Sequence, residues 1–203
     1  MGWGAGRAIP EARLRPPTAG AHFCGRELAA HLKHVNFEFK ARLRNEGAVR
    51  AALKKLRARH VGTDRQIDTY FRVPCGRLKL REGRIENALI YYERSDTPRP
   101  RRAQIEMMLL PRRHPLRAIL RQALEVLTVV DKRREIYLVG NVKIHLDRVR
   151  RLGKFVEVEA MSRSGGLGKV RKQARKLQKL FGLAPADLVG QSYSDLLLKR
   201  LSH

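Results

Sequence analysis

Arg77, Lys79 and Arg81 occupy every second position of one short segment, and the same spacing recurs in Lys40 and Arg42, in Lys132 and Arg134, and in Glu157 and Glu159. A period of two places side chains on one face of an extended strand. Like charges so arranged repel unless counter-charges or an anionic ligand sit among them. Converging Arg and Lys can neutralise and orient a polyanion through charge-assisted, often bidentate hydrogen bonds. Carboxylates in the same place would repel phosphate directly. Their role there is to hold a hard divalent cation that bridges phosphate oxygens, Mg²⁺ or Mn²⁺ by ligand type. Together these groups suit metal-assisted chemistry at a phosphoanhydride.

Such faces need strands to carry them. Val35 to Leu43 alternates strictly, with Val35, Phe37, Phe39, Ala41 and Leu43 on one side and Asn36, Glu38, Lys40 and Arg42 on the other. Further strands are expected at 66–71, 76–82, 88–94, 103–109, 126–134, 136–139, 142–149 and 154–161. Helices are expected at 47–59 with Asn45 as cap, 115–125, 168–181 and 193–200. Strands dominate and no regular βαβ alternation occurs, so the expected class is α+β with a mostly antiparallel sheet.

The polar faces are almost wholly ionic. They carry Lys40, Arg42, Arg77, Lys79, Arg81, Arg94, Lys132, Arg134 and Lys143 together with Glu38, Asp147, Glu157 and Glu159, while Ser, Thr, Asn and Gln are scarce. A solvated sheet face would mix in neutral polar residues. An ionic face turned inward, with the apolar face outward under helices, describes a barrel whose lumen is a binding channel.

The chain has 203 residues with 44 Lys and Arg against 19 Asp and Glu, a formal net charge of +25, and 43% hydrophobic residues. It is too apolar for a disordered polycation and long enough for one core. The charge points to an anionic partner. No apolar run reaches the ~18 residues of a membrane-spanning helix, so no membrane partner is expected. Cys24 and Cys75 have no zinc-ligand spacing, which leaves a reducing, cytoplasmic setting as the default. Residues 1–34 read as a Gly- and Pro-containing, Arg-bearing extension; an organelle transit peptide directed to mitochondria is the functional alternative to a plain flexible tail. Residues 35–203 are the expected folded domain, acting as a monomer or homodimer.

Other features weigh less. Lys169, Arg171, Lys172, Arg175, Lys176 and Lys179 form a basic helix face that could meet nucleic acid, but few aromatics accompany it for stacking on bases. SGGLGKV at Ser164 to Val170 lacks the first glycine of a phosphate-binding loop and the hydroxyl after Lys169. His145 shares the ionic face and is expected to neighbour Asp147 through a hydrogen bond. Tyr193 and Asp195 are expected to pack and cap near the C-terminus.

The stretch NFEFKAR from Asn36 to Arg42 resembles the opening strand of CYTH domains, the superfamily of class IV adenylyl cyclases and thiamine triphosphatases, also called triphosphate tunnel metalloenzymes. The similarity continues through QIDTYFRVPCGRLKLR (Gln66 to Arg81), LIYYER (Leu89 to Arg94), Lys132 and Arg134, IHLD (Ile144 to Asp147), LGKFVEVE (Leu152 to Glu159) and SYSDLL (Ser192 to Leu197). It spans Val35 to Leu198 and is nearer the cyclase-like branch. The resemblance implies an eight-stranded antiparallel tunnel that takes up a triphosphate with two divalent metal sites. It implies phosphate contacts at Lys40, Arg77, Lys79, Arg81, Arg94, Lys132 and Arg134. The implied metal ligands, direct or through water, are Glu38, Asp147, Glu157 and Glu159. Lys40, Arg81 and Glu159 are the expected catalytic residues. Two departures stand out: Asn36 replaces the first glutamate of the E-x-E-x-K opening, and RRAQIEMM from Arg101 lacks an expected Ser and Tyr.

Two reactions follow from that resemblance. Hydrolysis needs a water oriented in line. Cyclisation of ATP to cyclic AMP and pyrophosphate needs, in addition, a pocket for adenine that aims the ribose 3′ oxygen. No nucleobase pocket is legible in the sequence, so a metal-dependent triphosphatase is the preferred expectation. The cyclase is the alternative, and a non-catalytic polyphosphate or RNA binding module is the third reading.

Overall fold

The computed structural model describes residues 31–97, 99–162 and 167–201. Eight antiparallel strands close into a barrel: β1 (His31–Arg42), β2 (Arg59–Phe71), β3 (Arg77–Glu82), β4 (Ala88–Arg94), β5 (Arg101–Leu109), β6 (Val126–Val139), β7 (Val142–Val149) and β8 (Gly153–Ser162). Around the barrel the order is β1, β5, β4, β3, β2, β6, β7, β8, with β8 returning to β1. Helices α1 (Glu46–Lys55), α2 (Leu116–Ala123), α3 (Leu167–Leu180) and α4 (Tyr193–Leu201) connect or follow the strands.

Alternation decides which side of each strand is dry. Phe37, Phe39 and Ala41 of β1, Val142, Ile144 and Leu146 of β7, and Val156, Val158 and Ala160 of β8 point outward. They are buried against Val49, Ala52 and Leu53 of α1 and Val170, Ala174, Leu177 and Phe181 of α3 and its end. Each large apolar side chain removed from water contributes roughly 1.5–3 kcal/mol. This cover lets the opposite face of the same strands remain ionic.

Helix ends follow local chemistry. Asn45 Oδ1 accepts from the Ala48 amide at 3.0 Å, the cap expected of that residue. The helix stops earlier than its apolar spacing suggests, because Arg57 adopts a left-handed φ of 49° and the chain re-enters the sheet at Arg59. At α4, the Ser192 amide donates to Asp195 Oδ2 and the Asp195 amide donates to Ser192 Oγ, a reciprocal capping box. Tyr193 and Leu197 then bury against Val149 and Phe155, placing α4 over one end of the barrel.

Three strand boundaries differ from the sequence expectations by more than two residues. The segments 126–134 and 136–139 are one strand, since β6 pairs with β7 without interruption from Lys132 to Val139. β2 begins at Arg59, well before Gln66. β1 begins at His31, where exposed residues pair with β5 through the backbone, so their side chains give no alternating signal. Residues 1–30, which hold most of the expected N-terminal extension, lie outside the described residues, as do Ser164, Gly165 and Gly166 of SGGLGKV.

Candidate active site in the barrel lumen

A cavity of about 920 Å³ runs inside the barrel and is lined by side chains from every strand and by Ser192 and Tyr193 at α4. Lys40, Lys79, Arg81, Arg94, Lys132, Arg134 and Lys143 meet there with Glu38, Glu157 and Glu159. Half of these groups are buried and the others half-buried, so their charges must be answered locally.

Asp68 on β2 provides one centre. Its carboxylate accepts from Arg81 Nε and Nη2 at 2.9 and 3.0 Å, from Lys132 Nζ at 2.6 Å and from Lys79 Nζ at 3.4 Å. Burial by itself would raise this carboxyl, but Arg81, Lys132 and Lys79 outweigh it and hold it well below the usual carboxylate range. Lys132, fully enclosed beside other cations, is lowered by burial to about 7.

Glu86 provides a second centre from the turn between β3 and β4. It accepts from Arg81 Nη1 at 3.0 Å, Lys143 Nζ at 3.1 Å and Gln66 Nε2 at 3.1 Å. The turn is held by Asp64, wholly buried on β2, whose carboxylate accepts from the amides of Arg84, Ile85 and Glu86 at 2.7, 3.2 and 3.2 Å. Gly83 permits this approach, because a Cβ there would lie 2.4 Å from Asp64 Oδ2.

On the far wall, Arg134 donates to Asp147 through Nε and Nη2 at 2.7 and 2.6 Å, and to Glu157 at 2.6 Å. The Tyr193 hydroxyl donates to Asp147 at 2.8 Å, and Lys40 Nζ lies 3.9 Å from the centroid of the Tyr193 ring. Lys40 Nζ is also 3.2 Å from Glu157, while Arg94 donates to Glu38 at 2.7 Å. Burial lowers Lys40 and raises Glu38, each partly offset by its opposite charge, Glu157 and Arg94 respectively.

His145, Glu157 and Glu159 form a ligand-capable group whose donor atoms lie within 4.8 Å of one another. The register explains it: His145 is opposite Glu157 across β7 and β8, and Glu159 follows on the same face. His145 Nδ1 stands 3.8 Å from Glu157 and 3.7 Å from Glu159, and neither ring nitrogen makes a hydrogen bond. Buried, unbonded nitrogen beside two carboxylates that reach the cavity is a donor set suited to a divalent cation.

Three expected residues stand apart from the cavity. Arg42 ends β1 exposed, its guanidinium 5.4 Å from the Phe155 ring centroid. Arg77, at the end of β3, donates to Asp96 and Asp195 at 2.6 and 3.1 Å. Asp147 is 2% exposed with both oxygens engaged by Arg134 and Tyr193, which makes it a clamp for Arg134 behind the cavity lining. His145 is placed against Glu157 and Glu159, and the hydrogen bond expected to Asp147 does not form. Tyr193 does more than pack, since it links α4 to the charged wall.

Asp68 and Glu86 escaped the sequence reading. Asp68 had a usable signal, the alternation of Asp64, Gln66, Asp68 and Tyr70 along β2. Glu86 had none, because a turn residue has no periodicity and it is aimed inward by Asp64 on the neighbouring strand, about twenty residues away in sequence.

Such an antiparallel barrel, with bases around a central cavity and a carboxylate cluster on one wall, defines a charged tunnel. The chain belongs to the CYTH domain family, whose model matches residues 34–193, and its barrel is the triphosphate-tunnel fold. Among solved structures it is similar to the PH1012 protein of Pyrococcus horikoshii OT3, at 26% identity over 79% of this chain and 98% of that one, TM-score 0.66. A Vibrio parahaemolyticus protein provisionally named an adenylate cyclase matches at 22% identity over 81% and 98%, TM-score 0.65. The PH1819 protein of P. horikoshii OT3 matches at 22% over 81% and 99%, TM-score 0.59. Comparison with curated proteins returns no match. Among the described residues, no helix is long and apolar enough to cross a membrane.

Proposed function

We propose that this protein is a metal-dependent triphosphatase that takes an organic triphosphate into the barrel and cleaves a phosphoanhydride. The observation that carries this reading is the set of buried bases around the cavity, Lys40, Lys79, Arg81, Arg94, Lys132 and Arg134, each held toward the lumen by a carboxylate. A linear polyanion offers such bases the charge that Asp68, Glu38 and Glu157 answer in its absence. The rigid cage pre-pays orientation, so little reorganisation accompanies binding.

His145, Glu157 and Glu159 would hold Mg²⁺ or Mn²⁺, and the imidazole in the set favours Mn²⁺. When bound, such an ion withdraws charge from phosphate oxygens and supplies an acidic water. The protein's own contribution is electrostatic. Lys40 and Arg134, fixed by Glu157, flank the carboxylate wall and neutralise the phosphoryl oxygens beside it. Lys79, Arg81 and Lys132 stabilise the charge that grows on the leaving phosphate, so no proton donor is required there.

One feature supports the cyclase as a second reading. Part of the cavity wall is apolar, formed by Ala88, Ile90, Ile105, Met107, Leu109 and Met161, and has room for an organic group. ATP, thiamine triphosphate and inorganic tripolyphosphate should be offered with Mg²⁺ or Mn²⁺ while phosphate, pyrophosphate and cyclic nucleotide are monitored. Orthophosphate release is the expected result. Cyclic AMP and pyrophosphate from ATP would replace hydrolysis by cyclisation, and no turnover of any compound would reduce the protein to a binding module.

A further inference from the structure

The solvent face of α3 carries Lys169, Arg171, Lys172, Arg175, Lys176 and Lys179, all exposed, and residues 160–186 contain no Asp or Glu. Bases three or four positions apart on a helix are neighbours and repel one another, as Arg171 does Arg175, Lys172 does Lys176 and Arg175 does Lys179. No acid stands in the first turn to meet the helix dipole, and none of these side chains has an ionic partner among the described residues. α1 shows the ordinary arrangement: Glu46 opens it, Lys54 and Lys55 close it, and Arg50 pairs with Glu46 at 2.7 Å and with Glu135 at 2.9 Å. The uniform charge of α3 opposes its own helix, and an anionic partner would relieve that repulsion.

Geometry narrows the partner. Val170, Ala174, Leu177 and Phe181 are buried against the barrel, and Gln173 is fastened to Asn141, just before β7, by hydrogen bonds of 2.9 and 3.3 Å. The apolar stripe is thereby used up, so α3 has no second apolar face to lay into a bilayer. At about 3.6 residues per turn, Arg171 and Arg175 fall on one flank, Lys169 and Lys176 on the other, and Lys172 and Lys179 along the crown. A rigid cylinder about 20 Å long with bases on both flanks matches two phosphate backbones running on either side of a groove. The major groove of B-form DNA, about 12 Å wide, admits a helix, whereas the A-form major groove of duplex RNA is too narrow. α3 carries no aromatic side chain on which the bases of a single strand could stack.

We propose that the exposed face of α3 is a docking surface for duplex DNA, held through its phosphates and therefore indifferent to base sequence. None of the six bases lines the lumen, so this surface is separate from the tunnel and does not depend on the reaction carried out there.

Fluorescence anisotropy of a short labelled DNA duplex, titrated with the full chain over a series of salt concentrations, tests this. Two duplexes of unrelated sequence should bind within about threefold of one another, with affinity falling steeply as salt rises. Arg171→Gln, Lys172→Gln, Arg175→Gln and Lys176→Gln combined should weaken binding about tenfold or more and make the logarithmic salt slope shallower by about 3. The melting temperature of that variant should be no lower than the parent's, since the repulsion within α3 is reduced. The same charge removed elsewhere, by changing the exposed Arg121, Arg133, Arg148 and Arg150 to Gln, should weaken binding less than about threefold. Equal weakening by the two sets would reduce the effect to net charge and overturn the proposal, as would parent-like binding in the α3 variant. Tighter binding of duplex RNA or of single-stranded DNA than of duplex DNA would assign the face to another ligand and overturn it too.

Discussion

Lys132 Nζ lies 2.6 Å from Asp68 Oδ2 with both side chains buried, yet burial and the nearby cations Arg81, Arg134 and Lys79 bring the lysine down to about 7. The protonation of the pair should therefore respond to charge placed in the lumen. At pH 8 the unliganded lysine is mostly neutral, and a triphosphate placed beside it favours the ammonium form. Binding should then take up close to one proton. Calorimetry in two buffers of different ionisation enthalpy measures this, and Lys132→Met should abolish it; undiminished uptake in that variant would refute the assignment. The sign for folding is opposite to that of a paired lysine. Between pH 7 and 10.5 the unfolded chain holds a proton that the folded chain has shed, so unliganded stability gains from this group as pH rises through that window.

Asp68 answers Arg81, Lys132 and Lys79 at once. Asp68→Asn leaves those cations buried without their counter-charge, a loss on the order of 3–5 kcal/mol. Tripolyphosphate should restore much of it, because the ligand takes over the vacated role. Melting curves with and without tripolyphosphate should show a larger ligand-induced rise in the variant than in the parent. Equal rises would mean that Asp68 and the ligand do not share those bases.

Glu157 and Glu159 should separate structure from metal binding. Glu157 pairs with both Lys40 and Arg134, whereas among the described residues the ionic neighbour of Glu159 is His145 at 3.7 Å. Glu159→Gln should weaken Mn²⁺ binding at least tenfold, read by electron paramagnetic resonance, with a melting temperature close to the parent's. Glu157→Gln should lose metal affinity and stability together. Parent-like Mn²⁺ binding in both variants would displace the cation from this wall.

Gly83 gives a test of the turn. A methyl group there meets a carboxylate already fixed by three amides, so Gly83→Ala should cost about 1–3 kcal/mol through local overpacking. Displacing the turn also moves Glu86 away from Arg81 and Lys143, so tripolyphosphate affinity should change as well. A variant with parent stability and affinity would show that Glu86 is not positioned by Asp64.

The barrel was legible because alternation is a local property. Phe37 and Phe39 against Glu38 and Lys40 tell which side of β1 is covered, whatever the partner strand. Boundaries were less legible where the strand has no buried face to alternate with, as at His31 to His34, which are exposed or half-buried and tied to β5 by its ladder and by Lys33 to Glu106. Arg42 and Arg77 had the correct parity and still missed the lumen. Parity gives a side of the sheet, while position along the barrel axis depends on where each strand ends against its neighbours.

The sequence by itself determined the alternating strands, the ionic inward face, and the family to which the motifs belong. Tertiary structure alone decided which charges neutralise one another. Asp147 is equivalent to Glu157 in residue chemistry, but Arg134 and Tyr193 occupy its oxygens while Glu157 still reaches the cavity. Asp68 and Glu86 acquire their partners from strand register and barrel closure. Charge pairing in a low-dielectric interior varies steeply with separations of a few ångströms, and sequence spacing carries no such distances between strands.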